Sequence, residues 1–138
     1  MSKTAHYEEN QELQLDYSRV ARIQQAVIPV AVQDADSGEV LILAYANKAA
    51  IDHTIKKKLA TFWSISRDEL WVKGATSGDY LDVVEVRVNC EQNSALYVVR
   101  PRQRGACHTR NKAGQTRPGC FYRRIKGPLL LEFVEGME

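Results

Sequence analysis

The sequence predicts a β-rich α+β domain, mixed in its strand directions, with two helices. Three observations carry that prediction. Short segments rich in β-branched residues recur about seven times along the chain. Only two segments place apolar residues at helical spacing. The 138 residues fit one domain that can bury a core without disulfides. Residues 1–138 are therefore read as a single domain, with residues 1–12 expected as a flexible tail.

Taken in order, Leu13, Tyr17, Val20 and Ile23 fall near helical spacing and predict an amphipathic N-terminal helix. AVIPVAVQ reads as extended, because Pro29 and the β-branched residues disfavour a helix. Asp34 to Gly38 supplies turn chemistry before the apolar run Val40 to Ala46, so the two segments form a hairpin. Asn47 suits the N-cap of a second helix reaching about Lys58, with Ala50, Ile51, Ile55 and Leu59 inward. Strands are expected at Thr61 to Ser66 and Leu70 to Lys73, around a polar turn. In the next strand Val84, Val86, Val88 and Cys90 form the more apolar face. Ala95 to Val99 and the terminal PLLLEFV complete the set.

Hydrophobic residues at 44% and charged residues at 26% match a folded domain and exclude a disordered or fibrous chain. No apolar run approaches the roughly 18 residues that span a bilayer, and MSKTAHYEEN lacks a signal-peptide core. A cytoplasmic protein without a membrane partner is expected. Three cysteines cannot all pair within one chain, and a reducing compartment keeps thiols free. The net charge of +2 is too small to predict a nucleic-acid partner, yet it is unevenly spread: Arg100 to Arg124 holds eight basic residues and no acid.

Cys90, Cys107 and Cys120 are separated by sixteen and twelve residues, with no CxxC knuckle. They read either as small buried hydrophobes or as a thiolate metal site, and Cys90, continuing an apolar face, suits the first reading best. Three ligands on zinc would leave a position for water, whose pKa zinc can lower to about 7. His108 follows Cys107 directly, and neighbouring side chains in extended chain point apart, so it reads as an acid or base or as an ordinary exposed histidine. His6 and His53 are expected to be solvated or packed. Trp63, Ser64, Ser66, Arg67, Trp71, Lys73, Thr76, Ser77 and Gly78 cluster within a short stretch. They suit a phosphate and a stacked base, or a solvated hairpin with two core tryptophans.

In this order, the motifs VAVQDADSGEVLILAYAN, FWSISRDELWVKGATSG, RVNC and GACHT followed by CFYRRI resemble the phosphoribosyl-AMP cyclohydrolase family of histidine biosynthesis. The resemblance covers Val27 to Ile125. It implies a β-rich homodimer in which three cysteines hold zinc near the subunit interface, with magnesium assisting the substrate. It also implies hydrolysis of the N1–C6 bond of a phosphoribosylated adenine. Carried onto matching positions, Cys90, Cys107 and Cys120 are the zinc ligands and His108 the acid/base group.

Departures from the family pattern concentrate around the substrate. The usual Asp-Cys-Asp-x-Asp is here Asn89-Cys90-Glu91-Gln92-Asn93, so a magnesium site at Asn89, Glu91 and Asn93 is weakened or lost. Ala75 replaces an acid, Asp79 and Leu81 stand for histidine and glutamine, and the loop between Cys107 and Cys120 is longer than usual. Arg110, Lys112 and Arg117 in that loop are the cations expected to neutralise phosphate instead. The leading expectation is a zinc-dependent hydrolase of phosphoribosyl-AMP. The alternatives are a paralogue acting on another heterocyclic nucleotide, and a non-catalytic zinc-stabilised module binding RNA or another polyanion.

Overall fold

Turn and cap chemistry place the elements, and the core then fixes how they pack. A computed structural model describes residues 7–138, so His6 lies outside the described residues. After helical residues 7–9, the elements are α1 (Ser18–Ala21), β1 (Ile28–Asp34), β2 (Val40–Ala46), α2 (Lys48–Lys57), β3 (Thr61–Ser64), β4 (Glu69–Val72), β5 (Leu81–Val88), β6 (Ala95–Pro101), β7 (Arg123–Gly127) and β8 (Leu130–Phe133). The main sheet has the order β2-β1-β6-β5, with β1 and β6 parallel and the other pairs antiparallel. β3-β4 and β7-β8 form separate hairpins. This is the α+β class that the sequence predicts.

Two expectations about the N-terminal part need correction. The amphipathic helix is only the four residues of α1, and Leu13 instead donates its N–H to the carbonyl of Leu129 at 3.0 Å. Apolar spacing there serves an extended segment bonded to the β8 hairpin. Residues 7–12, the later half of the expected tail, also make contacts: Glu12 bridges to Leu130, and Leu131 N–H donates to Gln11 O at 2.8 Å.

Asn47 caps α2 as expected, its side chain accepting the Ala50 N–H at 2.9 Å. Ala50 and Thr54 are buried and Ile51 packs against the core, as expected for Ala50 and Ile51, while Ile55 is 51% exposed. Thr54 is buried because its hydroxyl donates to Ala50 O at 2.8 Å and accepts from Thr61 N–H at 3.0 Å. His53 has the packing role expected, with Nδ1 2.9 Å from the Thr61 hydroxyl. In β5 a bulge between Val83 and Glu85 breaks the alternation. Val83 and Val86 pack on the core, and Val84 and Val88, expected inward, are exposed.

The core is built from Val30, Val32, Phe62, Leu81, Tyr97 and Val99, all fully buried. Each such side chain contributes on the order of 1.5–3 kcal/mol of burial free energy. Phe62 lies 5.4 Å from the Trp71 ring and 5.5 Å from the Tyr97 ring, which fastens the β3-β4 hairpin to the sheet. Among the described residues no helix is long and apolar enough to cross a membrane.

Candidate active site

After β6 the chain doubles back on itself and brings Cys107 towards Cys120. Ala106 N–H donates to Pro118 O at 2.9 Å, Arg117 N–H donates to Thr109 O at 3.1 Å, and Cys120 N–H donates to Leu41 O at 2.6 Å. Glycine is required at both crossings. A Cβ on Gly105 would sit 2.3 Å from Arg117 O, and one on Gly119 would sit 2.8 Å from Leu41 O. The second contact seats Cys120 on β2.

Cys107 is 3% exposed, and its thiol lies within hydrogen-bond reach of Cys120 and 2.9 Å from the Thr109 hydroxyl. Hydrogen bonding from Cys120, then from Thr109, lowers the Cys107 pKa to about 5 despite burial. The same pairing pushes Cys120 up. Lys73, 6% exposed, places its positive charge towards Cys120 and opposes that rise. Two neighbouring sulfurs, one of them with its pKa lowered, and a buried lysine facing them are a donor pair that fits zinc.

Cys90 is elsewhere. It lies exposed just beyond β5, at the far edge of the sheet from β2. Leu41 stands near the level of Val32 and Gln33, and so of Val98 and Glu85 in the ladder. Three strand spacings put Cys90 about 14 Å across the sheet from Cys120, with roughly 16 Å more along the strands. Zinc–sulfur bonds are about 2.3 Å, so the three cysteines of one chain cannot share an ion. Among the described residues no three His, Cys, Asp or Glu side chains lie close enough to hold a metal.

The turn carrying Cys90 closes on itself. Asn89 Oδ1 accepts from the N–H groups of Asn93 and Ser94 at 2.9 and 3.0 Å, and Asn89 Nδ2 donates to Asn93 Oδ1 at 2.6 Å. Both amide oxygens are spent inside the turn, leaving Glu91 as its one carboxylate. These residues do not fit a magnesium ion, which requires several well-placed oxygen ligands.

A cavity of about 850 Å³ joins the β3-β4 hairpin, the middle of β2, α1 and the cysteine loop. Of the residues expected to bind substrate, Trp63, Ser64, Ser66, Arg67 and Trp71 line it, and His108 reaches it from the loop. The Trp63 indole N–H is the one buried side-chain polar atom without a hydrogen-bond partner among the described residues. Sequence reasoning missed Arg19, Arg22 and Tyr45 in the same lining. The signal available was the arginine pair formed by Arg19 on α1 and Arg22 at its C-cap, in a segment whose apolar spacing predicts only a packing helix.

Other expected residues lie apart from this cavity. Thr76 and Ser77 are exposed, Gly78 is half-buried against the Gln103 side chain, and none of the three is in the lining. Arg110 donates to Gly114 O at 3.1 Å within its own loop, where Lys112 is also exposed. Arg117, expected to meet phosphate, is 1% exposed. It donates to both Glu9 carboxylate oxygens at 2.8 and 3.1 Å, to Met137 O at 2.7 Å and to the Thr109 hydroxyl at 3.1 Å. Its guanidinium also lies 4.1 Å from the centre of the Tyr122 ring. That arginine is a structural clamp behind the cysteine loop.

Comparison with known proteins bears on the same region. A family model described as phosphoribosyl-AMP cyclohydrolase matches residues 42–122, which begin within β2 and include the β3-β4 hairpin and all three cysteines. The chain is 49% identical over 104 residues to a phosphoribosyl-AMP cyclohydrolase of Hyphomonas neptunium, covering 75% of this chain and 74% of that protein. It is 46% identical over 117 residues to one of Archaeoglobus fulgidus, covering 84% and 94%. A histidine biosynthesis bifunctional protein HisIE of Thermus thermophilus is 43% identical over 123 residues, 88% of this chain and 54% of the longer protein. This chain belongs to the phosphoribosyl-AMP cyclohydrolase family.

Proposed function

We propose that the protein hydrolyses phosphoribosyl-AMP in histidine biosynthesis, opening the N1–C6 bond of the purine with zinc as cofactor. The observation that carries this reading is the single cavity uniting two tryptophans, three arginines and His108 beside the thiol pair. Trp63 and Trp71 offer faces for the base, and the unpartnered Trp63 N–H offers a donor for an acceptor on the nucleotide. Arg19, Arg22 and Arg67 supply cations for its phosphates. Among the described residues Arg19 makes no ion pair or side-chain hydrogen bond, so its charge is free for a ligand.

Cys107 and Cys120 would hold the metal, with Cys90 of a second copy as the third ligand. Zinc in such a site supplies a water that is nucleophilic near neutral pH. His108 takes the proton from the attacking water as its oxygen bonds to C6. It returns that proton to N1 as the N1–C6 bond breaks, while the water's second proton passes to the exocyclic imino nitrogen, leaving a carboxamide at C6. A homodimer accounts for both the remote cysteine and the apolar groove beside it. Ile28, Ile51, Ile55, Val86 and Val88 line a cavity of about 410 Å³ next to the edge strand β5. A second copy over that face would cover the groove and carry Cys90 to a neighbouring thiol pair. The three unpaired thiols also suit a cytoplasmic setting.

Neither alternative gains from the geometry. Leu81, which departs from the family pattern, is fully buried and cannot select a different nucleotide by contact. The polyanion reading meets a basic segment already neutralised in part: Arg100 pairs with Asp36, Arg102 with Asp82, and Arg124 with Glu132 and Glu135. The test is to incubate purified, zinc-loaded protein with phosphoribosyl-AMP and follow ring opening by absorbance. Turnover removed by a chelator and restored by zinc supports the proposal, and absence of ring opening overturns it.

A further inference from the structure

Outside the matched segment, residues 7–12 run along the cysteine loop and set one carboxylate on His108. Glu8 Oε1 lies 2.6 Å from His108 Nε2. A carboxylate only accepts, so Nε2–H donates and Nδ1 is the ring nitrogen left without a proton in the neutral imidazole. The contact is held from both sides. Tyr122 donates its hydroxyl to Glu8 O at 2.6 Å, Arg117 grips the Glu9 carboxylate, and Arg123 donates to Asn10 O at 2.7 Å. Glu8 is 24% exposed and His108 74%, so the histidine is orientated by this one side chain at an otherwise open position.

We propose that Glu8 is a positioning residue for the reaction. Resting on the hydrolase reading above, it fixes the His108 tautomer and ring orientation so that Nδ1 exchanges the proton with water and N1. Carboxylates orientate histidines in this way in metal sites and in catalytic triads, where the wrong tautomer is costly. The N-terminal strap thereby belongs to the catalytic apparatus, although it lies outside the segment matched by the family model.

The test compares the full-length, zinc-loaded protein with Glu8→Gln and Glu8→Asp. Expected for Glu8→Gln is a kcat lowered about 10²-fold, the low end for a correctly poised acid or base, with KM, zinc content and melting temperature unchanged. Glu8→Asp should recover part of that loss. An activity-independent readout is ¹⁵N NMR of the His108 ring, expected as the Nε2–H tautomer in the unmodified protein and as a tautomer mixture in Glu8→Gln. An active protein with unchanged kcat in Glu8→Gln overturns the positioning role, as does loss of zinc or of folding together with rate. If the unmodified protein opens no ring, the hydrolase reading fails separately. The NMR comparison then decides the contact, and an identical tautomer in both proteins overturns it.

Discussion

The Cys107–Cys120 loop and the Cys90 turn carry the same chemical group in opposite settings. In the loop, a buried arginine and backbone crossings that admit only glycine hold Cys107 and Cys120 together within one chain. In the turn, an exposed cysteine sits beyond an edge strand, beside side-chain amides bonded to one another. The difference teaches that cysteines in one sequence can fold into separate surroundings, two of them together and the third far away. In the proposed site, one part of the donor set is organised by folding and the other would be supplied by association.

The largest expected effect separates these halves. Cys107→Ser, Cys120→Ser and Cys90→Ser should each lower zinc affinity by more than about 10²-fold, because even residues that merely orient ligands are worth 10–100-fold. Only Cys107→Ser should also destabilise the fold, since that cysteine alone of the three is buried. Elemental analysis beside a denaturant titration reads both quantities. Full zinc in Cys90→Ser would break the comparison by removing the turn from the site.

His108→Ala comes next, with turnover lowered roughly 10²-fold or more and zinc retained, because the proposal gives proton transfer to the ring and the metal to Cys107. Loss of zinc in the same variant would instead place His108 among the ligands. Replacing the clamp tests the loop's internal support. Arg117→Met should cost about 2–3 kcal/mol in urea unfolding, as Met137 O, Thr109 and the Tyr122 ring lose their partner. A cost within measurement error would show that the glycine crossings alone hold the cysteines.

The smallest effects concern the turn. Turnover should respond little to added magnesium, and KM should rise a few-fold with ionic strength as the cavity arginines are screened. Arg19→Ala should raise KM and remove part of that salt dependence. Aspartate at Asn89 and Asn93 together should create a magnesium response. A strict magnesium requirement in the unmodified protein would mean that Glu91, waters and the substrate's phosphates suffice.

Local chemistry was legible in the sequence and distant pairing was not. The Asp34–Gly38 turn and the Asn47 cap each depend on residues within a few positions, and both formed as read. β7 was missed because RRIKG has little apolar alternation and owes its strand to pairing with β8. The β5 faces were misjudged because a bulge leaves no mark in periodicity. Arg117 resembled a loop cation. Its burial depends on Glu9, 108 residues earlier, and on an aromatic ring that only the folded loop presents. For the cavity, the hairpin side was readable as a cluster, while Arg19 and Arg22 join it only through the packing of α1.

The claim that two chains complete one site is tested most directly by mixing. Cys90→Ser and Cys107→Ser proteins, each without zinc or turnover alone, are unfolded together and refolded as mixed dimers. In a two-fold dimer each mixed pair regains one complete site, so about one quarter of the unmodified zinc content and turnover should return. A mixture that stays as inactive and zinc-free as its parents would contradict ligands drawn from two chains.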